Sequence, residues 1–172
     1  MGGHASERAG PRRISDANSA RRCGAGAMIG LLQRVSSACV AVDGQAIGAI
    51  GPGILVFVGV ERDDNEVRAQ RLLERLLGYR VFADTGGRMN LSVRDTGRAM
   101  LLVPQFTLAA DTMRGMRASF LPAAGPEAGR RLFEFLVTQA VRQYGKVQSG
   151  RFGMDMQISL VNEGPVTFWL AA

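Results

Sequence analysis

Four apolar residues in a row, Met100-Leu101-Leu102-Val103, followed at once by Pro104, constrain this chain more than any other stretch. A run of that kind reads as a strand buried on both faces, so it asks for a layer of structure above it and another below. Pro104 then stops the ladder, because it has no N–H to donate. A side-chain amide (Gln105), an aromatic ring (Phe106) and a hydroxyl (Thr107) come next. Polar groups at the end of a rigid strand are a common seat for a site.

The flanking sequence supplies the layers. Met28–Val35, Ala38–Val42, Gln45–Ile50 and Ile54–Val58 are apolar-rich and read as strands, with Asp43-Gly44 as a hairpin turn and Gly51-Pro52-Gly53 as a tight connection. Ala69, Leu72, Leu73, Leu76 and Leu77 recur at helical spacing. Asp63 and Glu66 stand at capping-box spacing before that helix, and Gly78 supplies its stop. Tyr79–Phe82 reads as a short strand, Gly86-Gly87 as a turn and Arg98–Val103 as the buried strand.

Gly125-Pro126 opens a second helix with the stripe Leu132, Phe133, Leu136, Val137, Ala140 and Tyr144. Three strands close the chain, at Val147–Phe152, Met156–Val161 and Val166–Leu170. The order predicts a single α/β domain over residues 28–172. Its bent, mostly antiparallel or mixed sheet layers carry two helices on one side, a three-layer β/β/α arrangement. Residues 1–27, rich in Gly, Ala, Ser and Arg, read as a disordered or non-native extension without the apolar core of a signal peptide.

Composition removes several chemistries. His4 is the one histidine and lies in that extension, so the body offers no imidazole for a Ser/His or Cys/His nucleophile. Cys23 and Cys39 form neither a disulfide framework nor a C-x-x-C metal site, which suits a reducing, cytoplasmic setting. No apolar run approaches the roughly 20 residues a bilayer requires. A net charge of +6 is compatible with nucleic acid without indicating it. Phosphate-loop and dinucleotide glycine motifs are absent.

Each remaining candidate has two readings. Thr107 is either a nucleophile, with Asp111 as a conceivable base, or a strand-end threonine bonded to its neighbours. Asn162-Glu163-Gly164-Pro165 is a plain turn or, with a cis Gly-Pro bond, a pair of carbonyls aimed at a ligand. Arg114-Gly115-Met116-Arg117 is a phosphate contact or a solvated basic loop. Asp63, Asp64 and Glu66 are better read as helix capping than as metal ligands, and Cys39 as a small core residue.

From Met28 to Leu170 a series of short motifs resembles the D-aminoacyl-tRNA deacylases. They run in order through Gln33-Arg34-Val35, Gly78-Tyr79-Arg80-Val81-Phe82, Met89-Asn90-Leu91 and Gln105-Phe106-Thr107-Leu108. The series continues with Arg114-Gly115-Met116-Arg117, Gly150-Arg151-Phe152-Gly153 and Asn162-Glu163-Gly164-Pro165-Val166-Thr167.

The resemblance implies a cytoplasmic homodimer that hydrolyses the ester between a D-amino acid, or glycine, and the acceptor end of tRNA. No cofactor or metal ligand is expected from the residues, with metal dependence left open, and neither membrane nor DNA is expected as a partner. The resemblance places Gly164-Pro165, with a cis bond fixed by Arg34, in the partner subunit's pocket as the chiral wall. Pro104, Gln105, Phe106 and Thr107 would line the facing wall, Phe152 and Met156 would lie near it, and Arg114 and Arg117 would touch the tRNA. The adenosine 2′-OH would take the part a histidine plays elsewhere, leaving the protein to position the ester and supply N–H donors.

The chain departs from the family pattern at Pro104, usually Ser, and at Ala118 and Met154, usually Pro and Ala. Pro104 is more typical of a related animal deacylase with relaxed chiral selection. The departure therefore bears on strict D-selection and leaves the deacylase reading first, with a relaxed-selection deacylase or a tRNA-binding module without catalysis as the alternatives.

Overall fold

The computed structural model describes residues 27–113 and 115–172. The expectations for residues 1–26, including His4 and Cys23, and for Arg114 lie outside the described residues.

One mixed sheet organises the chain. Strands β1 (Ile29–Val42), β2 (Gln45–Ile50), β3 (Gly53–Gly59), β6 (Ala99–Pro104) and β7 (Val147–Ser149) follow the order β2-β1-β3-β6-β7, and β8 (Gln157–Ala171) runs along the other side of β1. β1 is long enough to be shared. Its first half pairs with β3, its second half with β2, and β8 follows both halves antiparallel. The β3–β6 and β6–β7 pairs are parallel. The sheet curls until β2 lies against β6 and β7, and a Cβ on Gly48 would stand 3.2 Å from the Ser149 carbonyl oxygen.

The curl makes two cores. Val35, Val40, Ile50, Leu55, Leu101 and Val103 fill the inside of the near-barrel. Leu32, Ile54, Val56, Met100 and Leu102 face the other way, onto the helices α1 (Glu66–Gly78) and α3 (Pro126–Gln143). Alternation along β6 thus sends Leu101 and Val103 to one core and Met100 and Leu102 to the other, as a strand's period of two requires. All four are fully buried, which is why the run has no polar member. In α1 the side chains of Leu72, Leu73, Leu76 and Leu77 are buried, each contributing about 2 kcal/mol relative to exposure.

The expected architecture is the observed one, a single α/β domain with the two long helices on one side of the sheet. Boundaries differ in informative places. The N-cap of α1 is Asn65, whose side chain accepts from the Arg68 N–H at 3.1 Å, not an Asp63–Glu66 box. Asp64 turns back instead, accepting from the Glu61 N–H at 2.7 Å and pairing with Arg68 at 3.3 Å. The two expected strands between Met28 and Val42 are one, and so are the two between Met156 and Leu170. The strands expected at Tyr79–Phe82 and Val147–Phe152 shrink to β4 (Phe82–Ala83), which pairs with β5 (Met89–Leu91), and to Val147–Ser149. A one-turn helix α2 (Val93–Thr96) and a 3-10 helix (Phe106–Ala109) complete the elements. Cys39 is a half-buried free thiol. It lies on the outer face of β1 between Ala49 and Ser159, not in a core.

Candidate active site

The first half of the site is the corner where β6 ends. Along β6 the backbone groups of Met100 and Leu102 bond towards β7, through Lys146 and Gly150, while the Gln105 N–H donates to Val58 O at 2.7 Å on the β3 side. By that alternation the nitrogen of Pro104 faces the β7 side, two residues past Leu102, the last residue of β6 that pairs with β7. A proline there removes no ladder bond, and the strand tolerates it for that reason. Pro104 is buried, and a Cβ on Gly150 would stand 3.2 Å from its Cδ and 2.8 Å from the Met156 sulfur. Gly150 thus leaves the gap into which Pro104 and Met156 close.

Past Pro104 the chain turns into the 3-10 helix. A Cβ on Gly59 would meet the Leu108 Cβ at 2.9 Å, so only glycine lets the turn sit this close to β3. The side-chain amide of Gln105 donates to the Thr107 hydroxyl oxygen. Asp111 instead accepts from the Met113 N–H at 2.9 Å, and no hydrogen bond among the described residues joins it to Thr107. An amide N–H is no base, and among the described residues no carboxylate or amine is hydrogen-bonded to the Thr107 hydroxyl. Among the described residues, no acceptor bonds the backbone N–H of Phe106 or Thr107, the first two donors of the helix.

Phe106 is 53% exposed and meets Phe120 at a centroid distance of 5.2 Å, a contact between residues 14 apart that no motif or period announces. The loop between them is closed by paired backbone bonds of Asp111 and Ser119 and holds Arg117, which is exposed. Phe152 follows Gly150 by two residues. Its ring packs on Gly129 at the start of α3, with the Arg130 guanidinium 6.0 Å above it.

The second half is Asn162–Pro165, inside β8 and exposed. The Gly164–Pro165 bond is cis. Arg34 reaches it from β1, donating through Nε to Glu163 O at 2.9 Å and through Nη1 to Val81 O at 2.6 Å. Glu163 in turn faces Arg98 at 3.9 Å, and Arg98 lies 4.7 Å over the ring of Phe82.

The two halves do not meet within one chain. Pro104 is level with Val58 and Gly30, whereas the Gly164 segment lies opposite Arg34, four residues further along β1. With three strand spacings between β6 and β8, the separation is roughly 20 Å. Pro104, Gln105, Phe106, Thr107 and Met156 are together, and Arg34, Gly164 and Pro165 are together elsewhere. A shallow, open concavity also lies between α1 and α3, away from both places, lined by Glu66, Gln70, Arg71, Phe135 and Gln139.

Comparison with known proteins decides the family. A family model described as D-Tyr-tRNA(Tyr) deacylase matches residues 31–171. This chain belongs to the D-aminoacyl-tRNA deacylase family. A D-aminoacyl-tRNA deacylase of Thioalkalivibrio sulfidiphilus is 64% identical over 143 residues, covering 83% of this chain and 96% of that protein. One of Klebsiella pneumoniae (strain 342) is 56% identical over 143 residues, covering 83% and 99%. Among solved structures, the c-Myc DNA Unwinding Element Binding Protein superposes with a TM-score of 0.81 at 33% identity, covering 84% of this chain and 99% of its own. A probable eukaryotic D-amino acid tRNA deacylase shares the fold at 16% identity and a TM-score of 0.76, over 85% and 100%. The deacylase family expected from the motifs is the family observed, and the chain is accordingly a hydrolase.

Proposed function

We propose that this D-aminoacyl-tRNA deacylase works as a cytoplasmic homodimer in which Gly164–Pro165 of one copy faces the Pro104–Thr107 corner of the other. The observation that carries this reading is the roughly 20 Å separation of the two halves within one chain, with Phe106 and Thr107 exposed at one and Asn162–Pro165 exposed at the other. A second copy joins what a single copy cannot. The unpaired outer edge of β8, fifteen residues long, is a natural place for such a partner.

In this reading the ester enters between the corner and the projecting backbone. Carbonyl oxygens at Gly164–Pro165 accept from the substrate's α-amino group, and the close backbone leaves no room for an L side chain. The free N–H groups of Phe106 and Thr107 meet the oxyanion, one such donor being worth about 2.7–4 kcal/mol in the transition state. Water adds to the carbonyl, the C–O bond to the 3′ oxygen breaks, and that oxygen leaves with a proton. The neighbouring 2′-OH assists the transfer, giving free amino acid and tRNA. Glycyl esters, which have no side chain, pass the same wall. Arg117 and Arg114 take the phosphates of the acceptor end.

The decisive experiment is single-turnover ester loss from matched D-Tyr- and L-Tyr-tRNA. Rapid loss of the D ester alone supports chiral proofreading. Comparable turnover of both esters would favour a second reading, relaxed selection caused by proline at position 104. Thr107→Ala keeps most of the activity, because the hydroxyl is not the nucleophile. A drop in kcat of about 10³ or more would overturn that mechanism.

A further inference from the structure

The pairing of β1 with β8 breaks at the candidate chiral wall. Gln33 pairs with Thr167 and Val35 with Asn162, so one residue of β1, Arg34, faces four residues of β8, Glu163 to Val166. A bulge of that size loses its ladder bonds, and something else must hold the projecting backbone. Below the break, pairing resumes with the Gln33 side chain donating to the Thr167 hydroxyl at 3.2 Å.

Arg34 holds the Glu163 side of the bulge, and Asn162 spans its base. The carboxamide nitrogen of Asn162 donates to Arg34 O and to Val166 O, both at 3.2 Å. A primary amide has two N–H donors, and here each finds one carbonyl, one on either strand. The other end of the amide lies over Gly164, where a Cβ would stand 2.1 Å from Asn162 Oδ1. Position 164 can carry no side chain while Asn162 keeps this pose. The absence of a Cβ and the presence of the carboxamide are two parts of one arrangement.

We infer that Asn162 is a positioning residue for stereochemical selection, its carboxamide setting how far the Gly164–Pro165 backbone projects. This rests on the reading of that backbone as the chiral wall. Asn162 touches no substrate and acts through the bulge, so its loss releases the wall without removing it.

The test measures ester loss from D-Tyr- and L-Tyr-tRNA with the full-length chain, beside the thermal midpoint of each variant. Asn162→Ala lowers the D-over-L ratio by about tenfold, the scale of one net hydrogen bond, chiefly by admitting the L ester. Asn162→Asp, isosteric but without the two donors, does the same. Gly164→Ala reproduces the effect by displacing the carboxamide, and the double variant with Asn162→Ala is little worse than either single one. That non-additivity marks a shared mechanism.

Parallel loss of both activities together with a lower midpoint, at an unchanged ratio, would overturn the inference in favour of a merely structural asparagine. If Gly164→Ala and Arg34→Ala move the ratio while Asn162→Ala does not, the inference fails and the wall stands. If none of the three moves it, the wall itself is misassigned.

Discussion

The corner after β6 and the bulge in β8 both present backbone, and they are held in opposite ways. The corner rests on packing. Met100 to Pro104 are buried, and Gly59 and Gly150 are small so that Leu108, Met156 and Pro104 can close in. The bulge rests on polar links, since Asn162 to Pro165 are exposed and Arg34 and Asn162 replace a broken ladder. Packing fixes a surface rigidly and tolerates little change of volume. Polar links across a bulge fix one protruding segment while contributing less to global stability than a packed core does. Stability and selectivity therefore separate along the chain, the first sensitive at the corner and the second at the bulge.

The largest effect that would sharpen this contrast is expected at Leu101, which is fully buried in the core inside the curl. Leu101→Ala should cost about 2–5 kcal/mol, read from urea unfolding, because the methyl groups are lost and a cavity remains. The D-over-L ratio of the protein that stays folded should not change. A shift as large as that of the bulge variants would mean that corner and bulge are not held separately. Arg34→Ala comes next, at about 2 kcal/mol for two guanidinium hydrogen bonds to carbonyls. Its order is reversed, with the larger change in the ratio and the smaller one in stability. Equal D-over-L ratios for the two variants would break the comparison.

The same contrast explains what was legible in the sequence. The run Met100–Val103 disclosed its burial because a strand between two cores has no polar face, and the α1 stripe disclosed the helix by its period. The 3-10 helix was not legible, since Phe106–Ala109 is too short for any period, and the room that Gly59 makes for it is a long-range contact. Asn162–Pro165 read as a turn between two strands, because glycine and proline punctuate most chains that way. It is a bulge in one strand, kept continuous by partners 128 and 129 residues away. The residues of the candidate site are nominated by motif alone. Their division into two groups roughly 20 Å apart could come only from strand register.

The smallest effect concerns the connection between the two regions. Helix α2 is capped by Ser92, and Gly97, in the left-handed region at φ 61°, turns the chain so that Arg98 lies over Phe82 and faces Glu163. The Ser92 hydroxyl donates to the Asp95 carboxylate at 2.7 Å and the Ser92 N–H does so at 2.7 Å. The hydroxyl first and the N–H second hold that carboxyl below its ordinary 3.8. A depressed folded pKa gives stability that is present above the unfolded value and lost as pH falls through the folded one. Asp64 has the opposite sign, burial having raised its pKa, so its contribution is present below 3.8 and lost as pH rises through the raised value. Ser92→Ala removes the larger of the two bonds to Asp95 and leaves Asp64 alone. The urea midpoint of the variant should therefore lie slightly below that of the parent at neutral pH, and the gap should narrow as pH falls below 3.8, with the D-over-L ratio unchanged at pH 7. A gap that widened in acid would show that the cap does not act through the Asp95 charge. A changed ratio would show that α2 reaches the bulge through Arg98 and Glu163, so that the polar links extend further from the wall than Arg34 and Asn162.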